Sequence, residues 1–253
     1  MAHFYLDDSL AAQLASADAP VGAVVRLTGP DARHASTVSR VRPGERLRLG
    51  DGAGLVVEGE VLEASAQEVA LRVAAVERHP EPAPRIVLVQ ALAKGDRDEL
   101  AVQAATELGV DAIVPWQAAR SVSRWDAAKA EKGRARWATI VREASKQAIR
   151  ARVPEVEPLA TTAAIARRAA SATVLVLDPL AEHPLTALDA ASLRDGDRDV
   201  VLVVGPEGGI APEELAALTA AGARGVRLGA TVLRTSTAGP AAIAVLSGML
   251  GRW

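Results

Sequence analysis

Three glycines stand close together directly after an apolar stretch that is typical of a buried strand. Gly205, Gly208 and Gly209 fall within five residues behind Val200–Val204, and Glu207 lies among them. Glycine lets the backbone approach a ligand closely and tolerates positive φ angles. The spacing is neither that of a dinucleotide-binding GxGxxG loop nor that of a GxxxxGK phosphate loop, and Glu207 would repel a phosphate. The pattern predicts a site for a neutral or cationic ligand with hydroxyl groups, with a plain strand-to-helix turn as the alternative.

Two further segments combine residue types that suit the wall of a pocket. Residues 228–240 hold apolar Val232 and Leu233, then Arg234 and a run of three hydroxyl side chains, before a helix predicted to begin near Pro240. The amide end of that helix favours polar ligands. Residues 177–180 lie at the end of another predicted strand, over 173–177. Because ligands bind parallel sheets at the carboxyl ends of the strands, we expect both segments to wall a ligand site.

The composition excludes several kinds of chemistry. The chain has 253 residues and no cysteine, which rules out disulfides, thiolate zinc sites and cysteine nucleophiles. Methylation of a pyrimidine at C5 by the usual thiolate route is therefore excluded. The four histidines, His3, His34, His79 and His183, have no ligand spacing, so no metal site is expected. No apolar run approaches the roughly 18 residues of a membrane span and no secretory signal is present, which predicts a cytoplasmic protein without membrane contact.

The formal charge of −2 hides two segregated basic regions. Residues 120–152 hold ten Lys or Arg against three acids, and residues 26–48 hold six Arg against two acids. Segregated positive charge suits a polyanion such as a nucleic acid, whereas two solvated faces balanced by acids elsewhere are the alternative. The basic side chains that we expect to contact phosphates are Arg33, His34, Arg40, Arg120, Arg124, Lys146, Arg150 and Arg152.

The pattern of elements divides the chain in two. Residues 1–78 are predicted to be a small β barrel or sandwich, with strands at 23–27, 46–49, 55–63 and 68–76. Three prolines within residues 79–84 predict a linker. Residues 85–253 alternate buried strands with helices, including a helix over 127–151 and a strand over 226–228, and this predicts a parallel sheet covered on both faces.

Beyond these patterns, the chain resembles a known class of enzymes. GPEGG after an apolar strand, followed by LG-x-x-x-LRT-x-TA before a terminal helix, resembles the SPOUT class of knotted methyltransferases. Within that class the chain is similar to the family that methylates N3 of a uridine in small-subunit (16S) ribosomal RNA. The segments that carry this closer resemblance are Lys94–Arg97, Thr106–Val110, Pro115, Arg120–Ser121, Glu143–Ala144, Gln147 and Arg150–Pro154. The N-terminal region with His34 and Arg40 also resembles that family's PUA-like RNA-binding barrel.

The resemblance implies an α/β fold class: a C-terminal SPOUT domain whose parallel sheet is covered by helices and ends in a trefoil knot, after a small PUA-like β barrel. It also implies S-adenosylmethionine as cofactor and a homodimer. Carried over by position, the cofactor contacts are Leu177, Gly205, Glu207, Gly208, Gly209, Leu228, Leu233, Arg234 and Thr235. Ser236 stands where many family members have a glutamate, so the base is elsewhere or no strong base is needed.

The expected chemistry assigns roles to two residues. Methylation of uridine at N3 needs the proton removed or the resulting anion stabilised, and a guanidinium such as Arg234 stabilises an anion without titrating. A phosphate contact is the alternative for Arg234. Glu207 could accept the proton, or contact a ribose or a helix N-terminus instead. The alternative functions are ribose 2′-hydroxyl methylation of transfer or ribosomal RNA and non-catalytic RNA binding by a ribosome assembly factor.

Two sets of side chains keep a second possible role. Arg120 and Arg124 could serve a partner subunit rather than RNA. The tryptophans of this region, Trp116, Trp125 and Trp137, could stack on bases or belong to the core.

Overall fold

The computed structural model describes residues 4–15, 19–194 and 198–253. The chain forms two units, the first made of Met1–Glu81 with Ser145–Val153 and the second of Pro82–Ala144 with Pro154–Trp253. Of the residues singled out in the sequence, His3 lies outside the described residues. No helix among the described residues is long and apolar enough to cross a membrane.

Unit 1 is built on a five-stranded sheet that curls into a half-barrel, with the strand order β1-β3-β4-β5-β2. Its neighbours pair antiparallel, apart from the parallel pair of β1 and β3. The elements are β1 (Phe4–Leu6), α1 (Leu10–Ala15), β2 (Val24–Thr28), α2 (Gly29–Arg33), a π-helical turn (His34–Val38), β3 (Arg46–Gly50), β4 (Leu55–Ala64) and β5 (Glu68–Arg78). Strand β2 shows why the sheet has an inner face: Val25 and Leu27 are buried while the residues between and beside them are exposed, which is the period of two of a strand.

A segment distant in sequence completes unit 1. Helix α4 (Ala127–Gln147) ends four residues before the predicted end at 151, so that prediction was wrong. The chain turns at Ile149, which has a φ of +54°. Residues 151–153 then lie along the turn between β3 and β4, where Gly54 N–H donates to the Ala151 carbonyl at 3.0 Å and Val153 N–H donates to the Gly52 carbonyl at 2.9 Å.

Unit 2 is a six-stranded sheet, all parallel, with the order β11-β9-β10-β6-β7-β8. Its strands are β6 (Ile86–Ala91), β7 (Ala112–Trp116), β8 (Glu155–Val156), β9 (Thr173–Leu177), β10 (Val200–Val204) and β11 (Arg224–Val226). Besides α4, its helices are α3 (Arg97–Glu107), α5 (Thr162–Arg168), a 3-10 turn (Leu185–Ala187), α6 (Ala190–Arg194), α7 (Pro212–Ala220) and α8 (Thr235–Met249). Every residue of β6, β7 and β10 is buried, as the continuous apolar runs predict for strands covered on both faces. The expected α/β class is confirmed.

Two predicted boundaries near the C-terminus were wrong. Strand β11 ends at Val226, where the sequence predicts a strand beginning there, and α8 begins at Thr235 rather than near Pro240. A proline is favoured in the first turn of a helix, which is why Pro240 suggests a start, but here it lies inside the helix. Helix α8 packs against α3, β6 and β10, so the chain returns from the edge strand β11 to the middle of the sheet.

Candidate functional site

A cavity of about 610 Å³ lies in unit 2 where β9, β10 and β11 end. Its wall is formed by the segments that follow these three strands together with the first turn of α8, and Arg97 and Arg120 contribute from elsewhere in the unit. This is the carboxyl edge of a parallel sheet, the place where such folds bind ligands. The volume lies within the roughly 300–1,000 Å³ of typical ligand pockets.

Eight of the nine predicted cofactor contacts line this cavity. They are Leu177, Gly205, Glu207, Gly209, Leu228, Leu233, Arg234 and Thr235. The ninth, Gly208, lies beside the wall, where its carbonyl accepts a hydrogen bond from Arg120 Nη1 at 3.1 Å.

The glycines after β10 are required by space and by backbone conformation. A Cβ atom on Gly205 would lie 2.7 Å from Ile210 Cγ1, closer than real side chains approach. Gly209 has a φ of +71°, which side chains disfavour, and its N–H donates to the Pro206 carbonyl at 2.8 Å. The loop is therefore a tight turn that presents bare backbone to the cavity.

Glu207 is held by the loop that precedes α3. Its Oε1 accepts hydrogen bonds from the Lys94 N–H at 3.1 Å and from Arg97 Nη1 at 2.8 Å. Burial alone would raise the pKa of Glu207, but hydrogen bonds from backbone amides and from Arg97 outweigh it and hold the pKa below its ordinary value. The carboxylate is ionised at neutral pH and already paired, which suits a positioning group better than a proton acceptor.

Thr235 ties the start of α8 to the glycine loop and to the middle of the sheet. Its hydroxyl donates to the Gly205 carbonyl at 2.9 Å and accepts from Gln90 Nε2 at 2.9 Å. Both side chains are buried, and Gln90 is the polar residue in the otherwise apolar β6. Sequence reasoning missed Gln90, although a lone amide in an apolar strand was the available signal.

Arg234 differs from the other arginines of the cavity. Arg97 is paired with Glu207, Arg120 bonds the Gly208 carbonyl, and Arg227 donates to the Ala181 carbonyl at 2.9 Å. Arg234 precedes the first residue of α8 in extended conformation and is exposed. Within the part of the chain that the structure describes, its guanidinium has no hydrogen-bond partner, which leaves it available to a ligand.

The predicted RNA contacts in unit 1 fall into two groups. Arg33, His34 and Arg40 are exposed on and after α2. Lys146, by contrast, lies 2.9 Å from Asp31, with the two side chains only 14% and 15% exposed, and Arg152 Nε donates to the His79 carbonyl at 3.1 Å. The first group can reach a polyanion, while Lys146 and Arg152 hold unit 1 together. Arg150 is half-buried and engaged as well.

In unit 2, the predicted RNA contacts Arg120 and Arg124 are both exposed, and Arg124 also bonds the Ala119 carbonyl at 2.9 Å. Trp116 and Trp137 are completely buried, so these two belong to the core rather than to a base-stacking surface. Trp125 is half-buried. Among the described residues, no cluster of three or more His, Cys, Asp or Glu could hold a metal ion.

Comparison with known proteins agrees with this arrangement. Residues 79–247 match the RNA methyltransferase domain, and residues 27–74 match the RNA methyltransferase PUA domain. The ribosomal RNA small subunit methyltransferase E of Mycobacterium bovis is 46% identical, with 92% of this chain and 89% of that protein covered. The Bacillus subtilis protein of the same name is 31% identical, with 87% and 88% covered.

Solved structures show the same fold. The crystal structure of a ribosomal RNA small subunit methyltransferase E from Neisseria gonorrhoeae, bound to S-adenosyl methionine, is 29% identical with a TM-score of 0.81, and 98% of each chain is covered. The sheet, the cavity at its carboxyl edge and the PUA domain thus define the class of RNA methyltransferases. Within that class, the chain belongs to the ribosomal RNA small subunit methyltransferase E family, which confirms the family and the enzyme class expected from the sequence.

Proposed function

We propose that the protein transfers a methyl group from S-adenosylmethionine to N3 of a uridine in small-subunit ribosomal RNA. The observation that carries the proposal is the cavity at the carboxyl edge of the sheet, in which the glycine loop after β10 meets an exposed Arg234. Family membership supports the ribosomal substrate, and the resemblance of the sequence motifs supports N3 as the methylated atom.

The residues of the cavity fit this cofactor. Gly205 and Gly209 leave the backbone uncovered for a ligand to approach, and Leu228 and Leu233 supply an apolar wall for an adenine ring. Glu207 lines the cavity paired with Arg97, and we propose that it contacts the cofactor from that position. When bound, S-adenosylmethionine supplies a methyl group on a positively charged sulfur. The remaining cofactor contacts that we propose are Leu177, Gly208, Arg234 and Thr235.

Arg234 is the proposed catalytic residue. Uridine N3 carries a proton near neutral pH, and loss of this proton to water leaves negative charge spread over N3, O2 and O4. A guanidinium beside O2 or O4 stabilises that charge without needing to titrate. The lowered pKa of Glu207 makes it a weak base, so we do not assign it the proton transfer. It contributes by holding Arg97 and the loop before α3.

Contacts with phosphates, rather than contacts with base edges, supply most of the affinity for RNA in this proposal. We propose that Arg33, His34 and Arg40 in unit 1 and Arg120 and Arg124 in unit 2 contact phosphates, which give affinity but little sequence information. N3 lies on the pairing edge of uracil, so the target base has to be unpaired or flipped out. The proposal includes a cytoplasmic homodimer that acts on the small ribosomal subunit without a metal ion.

The decisive experiment is the chemical analysis of the product. Small ribosomal subunits from cells lacking this activity are incubated with the protein and S-adenosylmethionine, and the RNA is digested to nucleosides for mass spectrometry. We expect one 3-methyluridine per subunit. A methyl group on ribose would instead establish 2′-hydroxyl methylation. No binding of S-adenosylmethionine by folded protein in calorimetry would leave a purely RNA-binding role.

A further inference from the structure

A second cavity, of about 320 Å³, lies in unit 2 beside the loop that joins β6 to α3. We call it the tryptophan cavity, because Trp125 and Trp137 line it together with Lys94, Asp98, Val122 and Ser123. Its volume is at the small end of ligand pockets, which run from roughly 300 to 1,000 Å³. Nothing in the proposed reaction uses it so far.

Trp125 is fixed in place by its surroundings. A Cβ atom at Gly133 of α4 would lie 2.4 Å from Trp125 Cζ2, so the indole lies directly on the backbone of that helix. The ring centroid of the buried Trp137 is 5.5 Å away with the planes at 70°, an edge-to-face contact. The backbone N–H of Trp125 donates to Gln117 Oε1 at 2.7 Å, which holds the main chain at this residue. The half-buried indole is therefore a rigid aromatic wall whose accessible part faces the tryptophan cavity.

The loop before α3 separates the tryptophan cavity from the cavity of about 610 Å³ at the carboxyl edge of the sheet, which we call the cofactor cavity. From the cofactor side, Glu207 accepts a hydrogen bond from the Lys94 N–H. From the other side, Asp98 Oδ2 accepts one from the Ala93 N–H at 3.1 Å. The Arg97 side chain lines the first cavity and the Lys94 side chain lines the second. A single clamped loop thus places the two cavities next to each other.

The charged side chains that line the tryptophan cavity are Lys94, Asp98 and Glu99. Both acids are engaged within the protein, since Glu99 is paired with Arg136 and Asp98 accepts hydrogen bonds from the Ala93 and Glu99 N–H groups, whereas Lys94 is exposed. A rigid aromatic wall beside an exposed cation is a combination that binds single-stranded nucleic acid, because every base has a face that stacks and every phosphate attracts a cation. We infer that the tryptophan cavity holds an unpaired base of the RNA next to the target uridine, stacked on Trp125. This inference rests on the proposed function.

The test compares Trp125→Leu with Trp125→Phe and with a matched control, Trp253→Leu, at a tryptophan that is 67% exposed. Leucine keeps apolar volume but removes the aromatic face, so we expect the Kd for small ribosomal subunits to rise about tenfold or more. Phenylalanine should restore most of the affinity, and the control should match the wild type. Calorimetry with S-adenosylmethionine should be unchanged in every variant. The melting temperature of Trp125→Leu should fall, because the indole packs on α4 and on Trp137, so RNA binding is compared at a temperature at which every variant is folded.

A second variant leaves Trp125 intact. Ser123→Phe fills the tryptophan cavity from its half-buried rim, and it should weaken RNA binding as Trp125→Leu does while cofactor binding stays normal. Unchanged RNA affinity in both variants overturns the inference, as does a change of oligomeric state in place of a change in RNA affinity. If the wild type methylates no uridine N3 yet its RNA binding depends on Trp125, the proposed function fails and the RNA site stands.

Discussion

Pairing separates the charged side chains of the cofactor cavity into two kinds. Glu207 and Arg97 neutralise each other and fix a loop, while Arg234 points its charge at no described protein partner. The sequence could suggest both Arg234 and Glu207 as chemical groups from their position after strands. It could not show which of them is already engaged, because the partner, Arg97, lies 110 residues away from Glu207 in the chain.

Replacement of Arg234 should slow the chemical step more than it weakens cofactor binding. Loss of one donor that stabilises a developing anion costs about 10²–10³ in kcat, so Arg234→Ala should show a loss of this size in single-turnover methylation. Arg234→Lys should recover part of it, because the charge remains without the planar fork. Arg224→Ala on β11, an exposed arginine outside the cavity, is the control. Full turnover in Arg234→Ala would rule out the proposed role.

Glu207→Gln separates a positioning role from that of a general base. The amide oxygen can still accept from the Lys94 N–H, but the ion pair with Arg97 is lost, so the Kd for S-adenosylmethionine should rise by no more than about fivefold, the range of exposed ion pairs. The turnover number should stay near that of the wild type between pH 7 and 9, where a carboxyl with an ordinary pKa of about 4.3 is fully ionised. A fall of kcat comparable to that of Arg234→Ala would make Glu207 the base.

The same residue predicts a pH dependence with a definite sign. Because the folded state lowers the pKa of Glu207, the contribution of the paired carboxylate is present above its ordinary pKa of about 4.3 and is lost as the pH falls through the lower, folded value. The free energy of unfolding measured with urea should therefore fall in acid for the wild type. Glu207→Gln should lack this component, and Glu213→Gln in the exposed first turn of α7 should keep it.

At the scale of elements, local pattern predicted strands better than helix ends. Strands β9 and β10 have the predicted bounds. A short continuous apolar run between polar residues fits few structures other than a buried strand. Helix α8 begins with Thr-Ser-Thr, residues with weak helix propensity, and no local signal marks that start. The tertiary bonds of the Thr235 hydroxyl to Gly205 and Gln90 compensate, and they join three elements that are far apart in sequence.

Helix α8 offers a paired test of its close approach to the sheet. A Cβ atom at Gly239 would lie 3.0 Å from Leu88 Cδ1, whereas one at Gly248 would meet nothing within 4 Å. Both alanine variants gain the same helix propensity, about 1 kcal/mol, so their difference reports the overpacking at Gly239, about 1–3 kcal/mol. Urea unfolding should show Gly248→Ala as the more stable variant by that amount. Equal stabilities would mean that α8 is not packed tightly on β6.

At the scale of the whole molecule, the segment 145–153 makes contacts with residues far away in sequence, and local sequence patterns cannot predict such contacts. Its first three residues end the basic helix α4, and the sequence predicts that this helix continues to residue 151. The whole segment belongs to unit 1, where Lys146 pairs with Asp31 and Val153 bonds Gly52. The pattern of basic residues is local and visible, but the burial of a cation against an acid 115 positions away depends on the completed fold.

The distribution of charge leads to a prediction about affinity and salt. A protein with a net charge of −2 binds a polyanion only through segregated cations, and Arg33 and Arg40 are the exposed arginines of unit 1 that we assign to phosphates. The double variant Arg33→Gln, Arg40→Gln should weaken binding to small ribosomal subunits and reduce the slope of log K against log salt by about 1.4, at about 0.7 per lost contact with a single strand.

The control for this salt dependence is Arg46→Gln, because Arg46 is as exposed as a phosphate ligand would be, at 77%, yet pairs with Glu58 at 2.7 Å. This variant loses one positive charge, against two in the double variant, and loses no proposed phosphate contact, so the slope should stay that of the wild type. Cofactor affinity, which belongs to unit 2, should be the same in all three proteins. If the double variant and Arg46→Gln have equal slopes, the RNA contacts do not lie on α2 and the turn that follows it.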